Sequence, residues 1–296
     1  YKGDRALVEF LIGTPNKKSR MPENMEKPLR EKGLNSRDIS PYIPMILASP
    51  CPVIVTDSQK QAEALERILN ILGIDGIRVD GKTVADKNHP AKAFLEDSDN
   101  WIKANNPGFI ILSPTAQSGI DINIRDYFSD VFALFFGVLG TDSQMQMPGR
   151  IRDPKVKWHI ACPEYTKNKG ENFSSPVPKE ITQAWEMYFT QDMATICKEL
   201  PEFFKLLQGV ILEGLNNPDH DMLAILKAKE NYEKANLREC LIEALQDAGH
   251  EIKFVEMLHD DDGVELLKEA KESVVCDEPK ISSKLLISSQ RKYKHC

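Results

Sequence analysis

At 296 residues the chain is long enough to bury a substantial core and to hold two domains, and 28% charged against 41% hydrophobic residues is an ordinary globular balance. The longest strongly apolar run, residues 131–139, is too short to cross a bilayer, which argues against a membrane-spanning helix and against a membrane partner. A formal net charge of −7 argues against a protein that grips nucleic acid unaided, because phosphate neutralisation supplies most of that affinity.

Basic residues cluster only locally, at 150–157 and 280–294, so any contact with nucleic acid is expected within a larger surface. The six cysteines are scattered without a Cys-x-x-Cys pair. That argues against a zinc site or a disulfide framework and for reduced thiols in the cytoplasm. No secretory signal opens the chain, and its start at Tyr1 rather than Met is read as that of a piece of a longer polypeptide.

Residues 1–41 read as a lead-in: one apolar element at 7–12, then a polar stretch rich in Pro and Lys, then Pro41 and Pro44 as punctuation. Val53-Ile-Val-Thr-Asp57 is a short β-branched run, the signal of a buried strand. Ser58 is the N-cap expected for a helix with Ala62, Leu65, Ile68, Leu69 and Leu72 on one side, closed by Gly73. Further strands are expected around Ile77 and Val79, at 109–112, 131–139 and 158–161, with a helix over 91–105 between the second and third. Strands alternating with helices predict a parallel α/β sheet over residues 42–165. From 166 to 279 the pattern turns mostly helical, with two helices over 180–215 broken at Pro201, a long helix from Asp221 to Gly249, a strand at 252–258 and a short last helix at 264–272. Residues 280–296 read as a basic tail.

Two segments carry chemistry. In Ser113-Pro-Thr-Ala-Gln-Ser-Gly-Ile-Asp121 an apolar strand ends in small hydroxyl residues, at the sheet edge where open α/β folds place ligands. Ser113 and Thr115 offer hydroxyls to a phosphodiester oxygen, Gly119 lets the backbone approach closely, and Asp121 can bind a ribose hydroxyl or orient an arginine. In Gln146-Met-Pro-Gly-Arg-Ile-Arg152 a carboxamide precedes Arg150 and Arg152. Guanidinium groups are the best-shaped donors for charge developing on a transferring phosphoryl group.

The order of these segments after Val53-Ile-Val-Thr-Asp-Ser58 resembles motifs IV, V and VI in the second RecA-like domain of superfamily 2 helicases. It looks closest to the helicase portion of cyanobacterial-type plasmid replication proteins, a family related to herpesvirus origin-binding proteins. The Ser-Pro-x-Ala-Gln-Ser-Gly segment, the aromatic strand after it, and Asn231-Tyr-Glu-Lys-Ala-Asn-Leu-Arg-Glu-Cys-Leu241 carry that likeness, over about residues 42–255. The resemblance implies a RecA-like α/β domain followed by a helical accessory domain. It implies ATP and Mg²⁺ held mainly by an upstream RecA-like domain of the same polypeptide, with single-stranded or unwinding DNA as partner. Ser113 and Thr115 would touch that DNA, Gly119 and Asp121 would couple it to nucleotide, and Gln146, Arg150 and Arg152 would act at the phosphate. Either arginine can be the finger: many family members space the pair by three residues, whereas here the spacing is two. Pro148 stands where a helix prefers a free N–H.

Gly76-Ile-Arg-Val-Asp-Gly-Lys82-Thr83 matches the phosphate-binding loop pattern, and a self-contained P-loop NTPase is therefore an alternative. Its context argues against it, because the strand expected at Ile77 and Val79 lies inside the motif rather than before it. A non-enzymatic assembly module with a helicase-like fold is a third reading. The acidic run 260–263 reads as a helix-initiating turn rather than a calcium loop, Phe132, Phe135 and Phe136 as core, and the six dispersed histidines as structural or solvated, so no metal site is expected.

Overall fold

Runs of Val, Ile and Phe without polar alternation must be covered on both faces, and a parallel sheet sandwiched by helices does this. The computed structural model describes residues 7–13, 38–116, 120–166, 173–196, 201–215, 217–257 and 260–276. Its strands are β1 (Leu7–Gly13), β2 (Pro52–Thr56), β3 (Gly76–Val79), β4 (Phe109–Leu112), β5 (Asp130–Leu134), β6 (Lys157–Ala161) and β7 (Glu251–Met257). They form one sheet in the order β3-β4-β2-β5-β6-β1-β7, and every pairing is parallel. Every residue of β2 and β4 is buried. The fold is therefore α/β, a parallel sheet flanked by helices and compatible with a RecA-like arrangement.

The helices of the first half are α1 (Tyr42–Ala48), α2 (Gln59–Ile71), α3 (Gly81–Ala85), α4 (Ala91–Glu96), α5 (Ser98–Asn105) and α6 (Thr141–Gln146). In α2, Ala62, Leu65, Ile68 and Leu69 are buried, and Gly73 ends the helix at φ +75°. Ser58 sits at the expected N-cap, but its side chain makes no capping bond. The single helix expected over 91–105 is two, because Asp97 leaves the helical conformation and its carboxylate accepts the Asn100 N–H, capping α5. The strand expected over 131–139 stops at Leu134. There the backbone turns to place the Phe136, Val138 and Leu139 N–H groups on the buried Asp57 carboxylate, at 2.7, 2.8 and 3.3 Å. Burial raises the Asp57 pKa, with those three bonds opposing it.

The remaining helices are α7 (Pro178–Ile196), α8 (Pro201–Leu215), α9 (Pro218–Ala235), α10 (Leu237–Asp247) and α11 (Asp261–Cys276). Proline opens α7, α8 and α9, at the one helical position where its missing N–H costs nothing. The long helix expected from 221 to 249 is broken at Asn236, between α9 and α10.

The described residues of Tyr1–Pro163 and Arg238–Cys296 form one compact unit, and those of Glu164–Leu237 a second. This corrects the partition expected from the sequence. The apolar stretch at 7–12 is no lead-in but an inner strand, paired with β6 on one side and β7 on the other. Likewise β7 and α11, expected in the helical domain, belong to the sheet unit. Leu266, Leu267 and Ala270 of α11 join one core cluster with Ile43 and Ile46 of α1 and Leu65 and Ile68 of α2. The basic tail at 280–296 lies outside the described residues.

The helical unit has its own small cluster, Ile181, Ala224 and Ala228, with Phe173 and Trp185 packed against it. The buried Asn231 amide donates to Phe173 O and Ser175 O, both at 2.8 Å. Thr166 N–H donates to Lys234 O at 2.8 Å, where the chain enters and leaves this unit. At the corresponding point of the sheet unit, Arg238 Nε donates to Cys162 O at 2.9 Å. These bonds give the Asn231-to-Leu241 segment a structural role.

Candidate functional site

The site begins where β4 ends. Ser113 N–H donates to Val79 O at 3.0 Å, and Pro114–Ala116 make one 3-10 turn. Ser113 is 4% exposed, and its hydroxyl has no hydrogen-bond partner among the described residues. Thr115 is exposed, so of the two hydroxyls it is the one open to a ligand. Gly119 lies outside the described residues.

After that turn the chain meets residues from far along the sequence. Ile122 and Ile151, both buried, form an isolated parallel bridge: Ile122 N–H donates to Arg150 O, and Arg152 N–H donates to Ile122 O, both at 2.9 Å. Backbone bonds thus fix Asp121 beside both arginines. Its Oδ1 accepts from Arg152 Nε at 3.1 Å and Nη2 at 2.7 Å, and Arg150 Nη1 lies 3.6 Å away. Of the two roles open to Asp121, orienting an arginine is the one the geometry displays. The Asp121 side chain is 52% exposed, so each ion pair is worth at most about 1 kcal/mol. A ligand phosphate could therefore exchange for the carboxylate at little cost.

Pro148 does not interrupt a helix. Helix α6 ends at Gln146, and Pro148 opens the 3-10 turn Pro148–Arg150, where no N–H is required. That turn carries Gln146, Arg150 and Arg152 to one cleft of about 610 Å³. Its other lining residues include Asn123, Arg125, Trp158 and His250, which sequence reasoning missed. Asn123 and Arg125 follow Asp121 at alternate positions, a spacing that could have pointed to them. His250 had no such signal, because only the tertiary return of α10 and β7 brings it there.

The Gly76-to-Thr83 segment folds against a phosphate-loop role. Strand β3 occupies Gly76–Val79, inside the motif. The Lys82 and Thr83 N–H groups both donate to Asp80 Oδ1 at 2.9 Å, and Thr83 Oγ1 accepts from Asp80 N–H at 2.9 Å. Lys82 Nζ lies 2.6 Å from Glu63 Oε1. The donors that would cradle a phosphate are engaged within the fold.

Asp130 and His159 make their contacts within the sheet unit. His159 stacks on Phe132 at 4.8 Å between centroids and its Nε2 lies 2.9 Å from Asp130 Oδ1. Burial works to raise the Asp130 pKa, but hydrogen bonds from His159, Ser49 and Ser129 hold it below the usual range. Phe132 and Phe135 are 1% exposed, in the core as expected. Burial pushes the Cys51 thiol up to about 11, and Cys162 is raised by burial as well. Helix α11 begins at Asp261, in the acidic run, as a helix-initiating turn should. Among the described residues, no group of three or more His, Cys, Asp and Glu is placed to hold a metal ion, and no helix is long and apolar enough to cross a membrane.

No protein family's sequence profile matches the chain. A stretch of 90 residues, 30% of the chain, is 27% identical to an uncharacterized protein of Picosynechococcus sp.. That alignment spans 9% of the relative's own length.

Proposed function

We propose that this chain is the C-terminal motor half of an ATP-dependent DNA helicase acting in plasmid or phage-like replication in the cytoplasm. The observation that carries the reading is the Ile122–Ile151 bridge, which brings Asp121, Arg150 and Arg152 together at one cleft. An upstream RecA-like domain of the longer polypeptide would hold ATP together with Mg²⁺, which would supply screening of the phosphate charge. When the two domains close, Arg150 or Arg152 leaves Asp121 for the γ-phosphoryl group. Water attacks the γ-phosphorus, the bond to the β–γ bridging oxygen breaks, and the guanidinium offsets the charge spread over the equatorial oxygens. Gln146 stands beside them to position the water. Thr115, with Ser113 behind it, meets a phosphodiester of single-stranded DNA, and the segment through Gly119 to Asp121 links that grip to the arginines. Domain closure and reopening turn hydrolysis into translocation.

The test is steady-state ATP hydrolysis by the longer protein carrying Arg150→Ala or Arg152→Ala. Loss of the finger should lower kcat by roughly 10³-fold or more. Wild-type turnover in both variants would sink the motor assignment and favour a non-enzymatic assembly module. The P-loop alternative predicts instead that Lys82→Ala abolishes nucleotide binding. The Asp80 and Glu63 contacts described above speak against that outcome.

A further inference from the structure

The arginine cleft has two chemically different parts, and the return of residues 238–257 to the sheet unit creates the second. One part is cationic: Arg125, Arg150 and Arg152 line it with the amides of Asn123 and Gln146. Two carboxylates stand against it: Asp121, paired with Arg150 and Arg152 as above, and the lining Asp153, 3% exposed, which accepts the Asp126 N–H at 2.6 Å and the Lys155 N–H at 3.0 Å; the guanidiniums of Arg125, Arg150 and Arg152 outnumber them. The other part is apolar and aromatic. Gly249, at φ +85°, turns the chain out of α10, and His250 N–H donates to Leu245 O at 3.0 Å, which fixes the turn. The half-buried His250 ring then lies over Trp158, with centroids 4.9 Å apart and planes tilted by 35°. Met145, Ile151 and Ala248 extend this apolar lining.

An inorganic anion would use only the cationic part. A ligand that fits both carries phosphates at one end and a flat apolar group at the other. The volume of about 610 Å³ falls within the range of small-ligand sites. We propose that this cleft binds a nucleotide through its base as well as its phosphates, with the base against His250, backed by Trp158. The inference rests on the motor reading and extends it: nucleotide affinity is not left to an upstream domain alone, and the chain itself supplies a base-contacting wall. Aromatic contact of this kind tolerates any base, so a preference for purine over pyrimidine nucleotides is not expected to be sharp.

Isothermal titration of the 296-residue chain with ATP and with inorganic tripolyphosphate tests this. ATP should bind about tenfold more tightly than tripolyphosphate, the gain expected from one stacked base. His250→Ala should remove that difference while leaving tripolyphosphate affinity unchanged, and Arg125→Ala should weaken both ligands. Equal affinity for the two ligands in the wild type, or no binding of ATP, overturns the proposal without any variant. So does a His250→Ala chain that keeps the wild-type preference. Turnover of the Arg150 and Arg152 variants in the longer protein is a separate readout. Lost turnover with no base preference would reject only the aromatic wall, whereas retained turnover would reject the motor half whatever the titration gave.

Discussion

Among the described residues, the sheet unit and the helical unit bury their apolar side chains very differently. In the sheet unit β2 and β4 are wholly covered, and one cluster joins three helices to four strands. In the helical unit the described cluster has three fully buried members, while Met187, Val210, Met222, Leu223, Ile225 and Leu226 are each at least half exposed. The arginine cleft is built on the denser of the two. A site whose donors must stand within fractions of an ångström needs neighbours that cannot relax, and a close-packed core provides them.

The largest expected effect that sharpens this contrast is Leu65→Ala, at a side chain 1% exposed in the middle of the large cluster. Loss of its methyl groups should cost about 2–5 kcal/mol. Ile181→Ala in the small cluster should sit at or below the bottom of that range, because fewer neighbours surround the void. Urea unfolding followed by fluorescence separates the units, since Trp185 reports the helical one and Trp101 and Trp158 the sheet. A larger loss at Ile181 than at Leu65 would break the comparison. Next comes Asn231→Ala, which strips the donors from two carbonyls and should destabilise the helical unit by roughly 1–3 kcal/mol. The Trp185 transition should move and the sheet transition should not.

A smaller, pH-dependent effect belongs to the sheet unit alone. The folded-state pKa of Asp130 is depressed, so its contribution is fully present above the unfolded value near 3.8. As pH falls below that value the unfolded chain takes up a proton first, and the contribution is lost by the time pH passes through the folded pKa. Asp130→Asn should therefore flatten the acid limb of stability against pH, and an unchanged limb would remove Asp130 as its source. The smallest change expected is at Asp121→Asn. Stability should fall by less than about 1 kcal/mol, since the carboxylate is half exposed, while tripolyphosphate affinity should rise as the arginines lose their competing anion. Weaker anion binding in that variant would mean that the orienting of the arginines by Asp121 outweighs its competition with the anion.

Much of the sheet was readable from local pattern. Val53 to Asp57 and Phe109 to Leu112 announce themselves as buried strands because no polar residue interrupts them. The apolar run at 7–12 is interrupted only by Glu9, yet nothing local says that it lies between β6 and β7, whose residues are some 150 and 240 positions away in the parallel register. Parallel pairing across such separations leaves no signature in either partner's sequence. The breaks at Asp97 and Asn236 were missed for the opposite reason. Both sit in helical periodicity that continues on either side, and the interruption is a single residue's choice of backbone conformation. At the site, Gln146, Arg150, Arg152 and Asp121 were legible because their residue types and order are tied to phosphate chemistry. Trp158 read as an ordinary strand residue and His250 as a dispersed histidine, and only the fold brings their rings together.

The excursion through residues 164–237 leaves and returns at one place, as the Arg238–Cys162 and Thr166–Lys234 bonds mark. Topologically it is a cassette set into a loop, and a cassette can be removed. Joining Pro163 to Arg238 through a few glycines should yield a shortened chain that keeps the sheet, the Ile122–Ile151 bridge and the arginine cleft. The same junction would accept a different helical insert, so the unit that holds the arginine cleft and the unit carried on it are separable parts.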